Sequence, residues 1–211
     1  MAKKTRKLEK RMHIFCEGSK TEPMYLQGYV DEFANDKAKL INIPDIKYNT
    51  PIALVKAAIK HKESEDTTVD DEFWVVYDRE AVSKYSHALH HEAWDMAESN
   101  NIKIALSNVC FELWILQHFA FKNTPYSCFD DLKKNSSLKD DLLSVGIKAY
   151  DKADVALYKK IRLGISNARK RAEALNKQSF NAAPAHTTRP FLLDCYTNIN
   201  ELLDAIDSFV P

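Results

Sequence analysis

The chain has 211 residues and no net charge, and its 45% hydrophobic and 28% charged content is that of an ordinary globular domain. This length fits one large domain, or one domain with a helical addition. No stretch approaches the roughly 20 apolar residues of a membrane span, and the basic N-terminus lacks a secretory cleavage site, so we expect a cytoplasmic protein without a membrane partner. We expect the scattered cysteines to be buried and reduced: Cys16, Cys110, Cys128 and Cys195.

Glycine is scarce, and this excludes several common nucleotide-binding motifs. The chain contains only Gly18, Gly28, Gly146 and Gly164. Neither a Walker A loop nor a Gly-x-Gly-x-x-Gly loop exists, and no Gly-x-Ser-x-Gly elbow is present. Kinases, ATPases, dehydrogenases and hydrolases with a serine elbow therefore lose their usual support.

The first elements are predicted from a short apolar run and the helical pattern that follows it. Residues 12–16 (MHIFC) indicate a strand, and Glu17 and Gly18 then form a turn. The N-cap of the next helix is left open between Ser19 and Thr21, since each is followed by suitable residues. The apolar residues in the body of this helix are Met24, Leu26, Val30 and Phe33.

The strongest strand of the chain follows a second strand and a second helix. The second strand lies at residues 40–43 or 46–48, and Thr50 before Pro51 is a typical helix start. Residues 73–77 (FWVVY) are apolar on both faces, as in a central parallel strand. Because strands and helices alternate, we expect a parallel sheet.

The remaining elements complete a predicted α/β fold. A helix beginning near Tyr85 ends at Asn100 and Asn101, a fourth strand occupies residues 102–106, and a buried helix occupies residues 111–121. We therefore predict a doubly wound, mainly parallel four-stranded sheet in residues 1–125, with a helical part in residues 126–211. The helices predicted for that second part lie at residues 130–143, 153–178 and 190–209.

Acidic residues stand where two of the predicted strands end. Glu17 follows the first strand, and Asp78 and Glu80 follow the third. Ligands bind at the carboxyl ends of the strands in open parallel sheets, and carboxylate oxygens favour Mg²⁺ or Mn²⁺ over zinc. These positions therefore suggest a metal site, while solvated turn residues remain the alternative for each acid alone.

Three sequence blocks resemble the RloB family of Toprim-like phage-defence proteins. The segment CEGSKTEP at residues 16–23, followed by Tyr25, is similar to the opening motif of that family. The segment SNVCFELW at residues 107–114, followed by His118 and Phe119, is similar to a second block. Tyr150-x-Lys152 is similar to a third element.

The resemblance implies a Toprim-like fold with a Mg²⁺ or Mn²⁺ site. Toprim domains hold Mg²⁺ with a Glu after the first strand, matched here by Glu17, and with an Asp-x-Asp after the third. Asp78-Arg79-Glu80 matches the latter with Glu in the last place, which keeps the charge and lengthens the reach.

The implied function is a small metal-dependent nuclease in anti-phage defence, acting on RNA or DNA. Protein partners from a defence locus are also implied. The alternative is a catalytically silent sensor or partner-binding subunit that keeps the fold.

Several further residues are candidates for the same site. Glu112 can complete the acidic group or simply favour a helix start, and Glu22 has the same two interpretations. Lys152 can neutralise a phosphate in the transition state or be a surface lysine. Ser107 and Asn108 can hold a phosphate, orient a carboxylate or cap the next helix. The catalytic set predicted from residues and resemblance together is Glu17, Asp78, Glu80, Glu112 and Lys152.

Two other patterns are weighed separately. His87 and His91 have metal-binding spacing on a helix, but the zincin pattern is incomplete, so we expect both to be exposed. His118 lies in an apolar segment and is expected in the core. A basic stretch at residues 159–177 places Arg162, Arg169 and Lys170 near one broad helix face, which predicts contact with a nucleic-acid backbone.

Overall fold

The structure is a computed structural model that describes residues 9–46 and 48–211. Most of the basic N-terminal segment, and part of the alternative second strand at residues 46–48, lie outside these residues. The sheet has five strands in the order β2-β1-β3-β4-β5. The first four strands are mutually parallel, and β5 is antiparallel to β4. The strands are β1 (Met12–Cys16), β2 (Ile41–Asn42), β3 (Glu72–Asp78), β4 (Lys103–Asn108) and β5 (Tyr196–Thr197).

Nine α-helices lie in the described residues, together with short 3-10 helices at Asn35–Lys37, Arg162–Gly164 and Pro190–Leu192. The predicted start of the second helix is confirmed, because the Thr50 side chain accepts a hydrogen bond from the Ala53 N–H at 3.3 Å. The helices are α1 (Thr21–Phe33), α2 (Pro51–Lys62), α3 (His87–Ser99), α4 (Glu112–Gln117), α5 (Phe129–Asn135), α6 (Leu138–Ser144), α7 (Leu157–Ile161), α8 (Ile165–Ala182) and α9 (Ile199–Ser208).

Central strands supply both faces of the core. In β3, Trp74 and Val76 point into one apolar cluster, while Val75 and Tyr77 point into the other. Helices α2 and α3 cover the second cluster. Helices α1, α8 and α9 cover the first, which draws residues from both parts of the predicted domain division. The sheet is therefore covered on both faces, as expected for a doubly wound α/β fold.

The predicted count of four strands is wrong, because β5 was taken as part of a helix at residues 190–209. That region instead contains a 3-10 helix, the two-residue β5, and α9. β5 pairs with the free edge of β4, with Ser107 opposite Thr197. A two-residue strand carries no periodicity of its own, so only the neighbouring edge defines it.

Three other predicted helices are shorter or more divided in the structure. The helix predicted for residues 111–121 covers only Glu112–Gln117, and the one predicted for residues 130–143 is two helices, α5 and α6. The helix predicted for residues 153–178 is interrupted around Gly164. A Cβ at this glycine would lie 2.6 Å from the backbone oxygen of His118, so the close approach requires glycine.

The strand order creates a crevice at one edge of the sheet. From β1 the chain first adds β2 on one side and then β3 on the other, so the direction of winding reverses between β1 and β3. Ligands in such sheets bind outside the carboxyl ends of the strands at this switch point. Glu17 and Asp78 lie at that point. Of the helices that the structure describes, none combines the length and the apolar character needed to cross a membrane.

Candidate acidic site

Glu17 is folded against the end of β3. Its backbone N–H continues the β1–β3 ladder by donating to the Val76 oxygen at 2.8 Å. One carboxylate oxygen accepts from the Asp78 backbone N–H at 3.2 Å, and the other accepts from the Tyr85 hydroxyl at 3.0 Å. Burial raises the pKa of Glu17, although these two hydrogen bonds oppose the shift. The parallel pairing thus joins the first and third strand ends, as predicted.

Asp78 is the most unfavourably placed carboxylate of the site. It is only 6% exposed, and its side chain accepts no hydrogen bond from any residue that the structure describes. Burial raises the pKa of Asp78 well above its usual value, and the negative charges of Glu22, Glu112 and Glu17 raise it further. The charge of Lys152 opposes this shift without outweighing it, so the ionised form of Asp78 stays unfavourable.

Glu22 joins this group from the first turn of α1. The helix begins at Thr21, and its N-cap is Lys20 without a side-chain hydrogen bond, so neither proposed cap forms. Burial, with the charges of Glu112 and Glu17, raises the pKa of Glu22 to about 7, while its own backbone N–H and Lys152 act in the opposite direction. Glu17, Glu22, Asp78 and Glu112 are called the acid cluster below.

Glu112 is fully buried at the start of α4. The Tyr150 hydroxyl donates to Oε1 at 2.6 Å, and Lys152 Nζ lies 3.5 Å from the same oxygen. Within the described chain, Oε2 has no hydrogen-bond partner. Burial and the nearby Glu112 charge raise the pKa of Tyr150, so this phenol stays protonated and remains a donor.

Lys152 supplies the positive charge nearest to the acid cluster. Burial works against its charged form, but Glu112, Asp78 and Glu22 outweigh that effect and raise its pKa overall. Its Nζ also lies 4.1 Å from the centre of the Phe129 ring. The backbone oxygen of Lys152 accepts from the Thr21 hydroxyl at 3.0 Å, which holds this distant segment against α1.

Glu80 lies at the edge of the site. Its backbone φ is 58°, in the left-handed region, and its carboxylate pairs with Lys84 Nζ at 2.6 Å. Glu80 lines a cleft of about 310 Å³ together with Glu17, Glu22, Asp78 and Lys152. The structure thus brings four of the five predicted catalytic residues to one cleft, and the fifth, Glu112, lies beside it against Lys152.

The donor chemistry of the acid cluster suits a hard divalent cation, but the side chains do not form a closed cage. Among residues 9–46 and 48–211, no group of three His, Cys, Asp or Glu side chains is arranged to hold a metal ion. Glu112 Oε2 is nevertheless buried without a hydrogen-bond partner among the described residues, and none of these residues donates to the Asp78 carboxylate, so both groups have oxygen atoms to offer a cation. The acid cluster therefore fits a divalent cation in its charge and in the type of ligand atom that it offers.

The histidine predictions are confirmed as far as burial is concerned. His87 and His91 are both exposed, whereas His118 is buried between the Tyr25 hydroxyl at 3.0 Å and the Ile161 oxygen at 2.9 Å. His90, which the sequence did not single out, is fully buried, and its Nε2 donates to the Arg79 carbonyl oxygen at 2.9 Å. Because a carbonyl oxygen can only accept, Nε2 carries the proton.

Ser107 and Asn108 do not act on a carboxylate or cap α4. The Ser107 hydroxyl bonds to the Thr197 hydroxyl at 2.9 Å, and the Asn108 amide donates to the Leu193 oxygen. Both side chains fasten β4 to the C-terminal segment. Three cysteines are buried as predicted, while Cys128 is partly exposed.

Two of the three cations of the predicted basic face form ion pairs with acidic residues of the protein itself. Arg162 pairs with Glu32, and Arg169 pairs with Asp204 and with Asp207. Lys170 is exposed and makes no ion pair with a described residue. Arg162 is thereby linked to α1 and Arg169 to α9, and contact of this face with nucleic acid stays a prediction.

Two tyrosines of the site were missed by sequence reasoning. Tyr85 was placed on the buried face of a helix, but it precedes α3, and its hydroxyl bonds to Glu17. Tyr150 was noted only as part of a family-like element. That motif was the available signal, whereas nothing local in the sequence indicates the role of Tyr85.

A doubly wound α/β domain with an acid cluster at its switch point is the class of protein that these features define. Residues 12–206 match the family model described as RloB-like protein, so the chain belongs to the RloB-like protein family. No curated protein and no solved structure matches the chain.

Proposed function

We propose that the protein hydrolyses phosphodiester bonds of RNA or DNA with Mg²⁺ or Mn²⁺, and that this activity serves anti-phage defence. The observation that carries the proposal is the acid cluster, in which four carboxylates meet at the switch point of the sheet, and in which burial and the neighbouring negative charges raise the pKa of Asp78 and of Glu22. Such a cluster is stabilised by a cation, and nucleic-acid phosphates are substrates that a cation attracts. The defence role is supported by the resemblance of the sequence motifs.

Glu17, Asp78 and Glu112 are the proposed ligands, because Glu17 and Asp78 stand at the ends of the neighbouring strands β1 and β3, and Glu112 begins the helix that follows β4. A bound Mg²⁺ would neutralise the scissile phosphate and lower the pKa of an attacking water. Tyr150 orients Glu112 by donating to Oε1, which leaves Oε2 without a partner among the described residues. The Glu17 carboxylate is oriented by the Tyr85 hydroxyl at one oxygen and by the Asp78 N–H at the other. Glu80 joins the ligands only if its carboxylate leaves Lys84.

Lys152 is placed to bind the substrate. Its Nζ lines the cleft together with Glu17 and Asp78, and the surrounding acids keep it charged. A phosphate that enters the cleft gains this positive charge beside the acid cluster. Lys152 therefore positions the phosphate and stabilises the negative charge that develops on it during hydrolysis.

A second candidate is a catalytically silent binding subunit. It is favoured by the absence, in the described chain, of three ligand side chains arranged around one ion, and by the pairing of Glu80 with Lys84. In that case the acid cluster would contribute only to the binding of a cation or a partner, and cleavage would not occur.

The proposal is tested by comparing cleavage of labelled RNA and DNA by wild type, Asp78→Asn and Glu112→Gln in the presence of Mg²⁺ or Mn²⁺. Each variant keeps the shape of its side chain and removes a ligand charge. We expect a rate at least about a hundredfold lower, because a metal ion supplies several kcal/mol of stabilisation to the transition state. Asp66→Asn is the matched control, since Asp66 is exposed and outside the site.

The same variants are compared in cells, because a defence nuclease can be inactive until infection. We expect wild type and Asp66→Asn to protect against phage or to be toxic, and Asp78→Asn to do neither at equal protein level. Equal protection by wild type and Asp78→Asn would contradict catalysis by the acid cluster and would favour the silent subunit.

A further inference from the structure

Arg79, which lies between Asp78 and Glu80 in the sequence, is a buried cation. It is 3% exposed. Its Nε donates to the Phe191 oxygen at 3.0 Å, and its Nη1 donates to the oxygens of Glu80 at 3.0 Å and Tyr85 at 3.2 Å. Its Nη2 donates to Nδ1 of His87 at 3.3 Å. All of these acceptors are uncharged, three of them being backbone carbonyls.

No carboxylate balances this charge. In the part of the chain that the structure describes, Arg79 forms no ion pair, and its side-chain hydrogen bonds all go to uncharged groups. A guanidinium has five N–H groups, and the contacts above use four of them, so one N–H on Nη2 remains. Burying a charge without a counter-charge is unfavourable, and an anion from outside the chain would relieve it.

The loop beside Arg79 offers further donors for an anion. The Ala81 oxygen accepts from the N–H groups of Lys84 and Tyr85, so residues 81–85 form a single helix-like turn. The N–H groups of Ala81, Val82 and Ser83 donate to no described residue. Consecutive free N–H groups in such a turn form a concave anion-binding surface.

Arg79 and this loop line one cavity, which has a volume of about 570 Å³. The cavity is large enough for a nucleotide, and the side chains of Tyr126 and Leu192 form an apolar part of its wall. Its two acids are Glu80, whose charge is balanced by Lys84, and the exposed Asp194. Glu80 also lines the cleft at the acid cluster, so the two spaces are adjacent.

We propose that this cavity binds the phosphate group of a nucleotide, through Arg79 and the backbone N–H groups of residues 81–83. The sugar or base lies against Tyr126 and Leu192. The nucleotide is either free or part of a nucleic-acid strand, and the phosphate is recognised in the same way in both cases. This binding does not depend on cleavage by the acid cluster, since it needs neither a metal ion nor an ionised Asp78.

The test is a titration of the full chain, in EDTA, followed through its ¹H–¹⁵N amide spectrum. The three ligands are inorganic phosphate, a nucleoside 5′-monophosphate and a short oligonucleotide without terminal phosphates. We expect saturable shifts at the amides of residues 81–83 with the first two ligands, weakening as salt is raised. The same shifts with the oligonucleotide identify an internal phosphate of a strand as a ligand, and their absence there identifies a free nucleotide or a strand end.

Ser83 provides a matched pair of variants that keeps Arg79 and its structural contacts intact. Its side chain is exposed and makes no hydrogen bond with a described residue. Ser83→Asp puts a negative charge beside the phosphate and is expected to weaken binding at least about tenfold, whereas the uncharged Ser83→Asn should stay within about twofold of wild type.

Asp78→Asn should leave the phosphate titration unchanged, which separates this site from the acid cluster. Equal binding by Ser83→Asp and Ser83→Asn would overturn the proposal. So would shifts centred on Thr21 and Lys152, or the lack of any saturable shift in wild type.

Discussion

The two ends of β3 carry two buried aspartates with opposite surroundings. Asp71, which precedes the strand, is 9% exposed, and Asp78, its last residue, is 6% exposed. Asp71 accepts four hydrogen bonds: from the Arg11 N–H at 3.0 Å, the Thr68 N–H at 3.1 Å, the Thr68 hydroxyl at 2.6 Å and His13 Nε2 at 3.1 Å. Asp78 accepts none from the described residues.

The difference shows in the direction of the two pKa shifts. Burial acts to raise the pKa of Asp71, but the hydrogen bonds from Thr68, Arg11 and His13 outweigh it and hold the pKa below its usual value. Burial raises the pKa of Asp78, and its acidic neighbours add to the shift. The fold therefore stabilises the ionised form of one aspartate and disfavours that of the other.

The end of the sheet at Asp71 is a closed hydrogen-bonding network. His13 Nε2 carries the proton that is donated to Asp71, so Nδ1 is left to accept from His61 Nε2 at 3.1 Å. Every polar atom that meets Asp71 has a partner. A buried acid contributes to stability where donors surround it, and is free to bind a ligand where they are missing.

The largest expected effect is at Asp71. Asp71→Asn replaces an acceptor oxygen by an amide N–H that faces the Thr68 or Arg11 donor, so it should lower the free energy of unfolding by about 3 kcal/mol. Chemical denaturation with a circular dichroism readout measures this change. Asp70→Asn is the control, because the neighbouring Asp70 is exposed and should give no change. A loss below about 1 kcal/mol would show that the network is weaker than its geometry indicates.

Asp78→Asn should have the opposite sign. Without divalent cations, the variant removes an unfavourable buried charge, and its amide N–H groups can donate to Glu22 or Glu112. We expect the free energy of unfolding to rise by about 1.5 kcal/mol in EDTA. Denaturation under the conditions used for Asp71→Asn measures it. Destabilisation by Asp78→Asn would mean that the ionised carboxylate is satisfied in a way that the structure does not show.

The free energy of unfolding should also depend on pH through Glu22. Its pKa is raised to about 7 in the folded state, so between about pH 4.3 and pH 7 the folded chain holds a proton that the unfolded chain has lost. Stability in EDTA therefore falls as pH rises through this window.

Glu22→Gln removes this dependence, so its advantage over wild type should grow by about 2 kcal/mol from pH 5 to pH 7 and level off above. Glu65→Gln, at an exposed position, should show no such trend. A constant difference between Glu22→Gln and wild type across the range would contradict the raised pKa.

The central strands could be predicted because their apolar residues are continuous in the sequence. The first strand was predicted at its observed bounds, and the run at residues 73–77 lies inside β3. The pairing of β1 with β3, which brings Glu17 beside Asp78, follows from general rules for parallel sheets. For these elements the local pattern and the final packing agree.

The arrangement of the site and the ion pairs of α8 depend on contacts between residues that are distant in the sequence. Tyr150 and Lys152 reach Glu112 only after a long segment folds back over α4, and Tyr85 reaches Glu17 across the crevice. The pairing of Arg169 with Asp204 and Asp207 likewise needs α8 and α9 side by side. No residue pattern within one element encodes these contacts, so the sequence supplied candidates for the site without their arrangement.

Thermal unfolding with and without Mg²⁺ tests most directly whether the Asp78 carboxylate, to which no described residue donates, binds a cation. A ligand that binds only the folded state stabilises it by about 1.4 kcal/mol at ten times its dissociation constant. Wild type and Asp66→Asn should therefore melt at a higher temperature as Mg²⁺ is added, and Asp78→Asn should not respond. An equal response in wild type and Asp78→Asn, or none in wild type, would contradict the account.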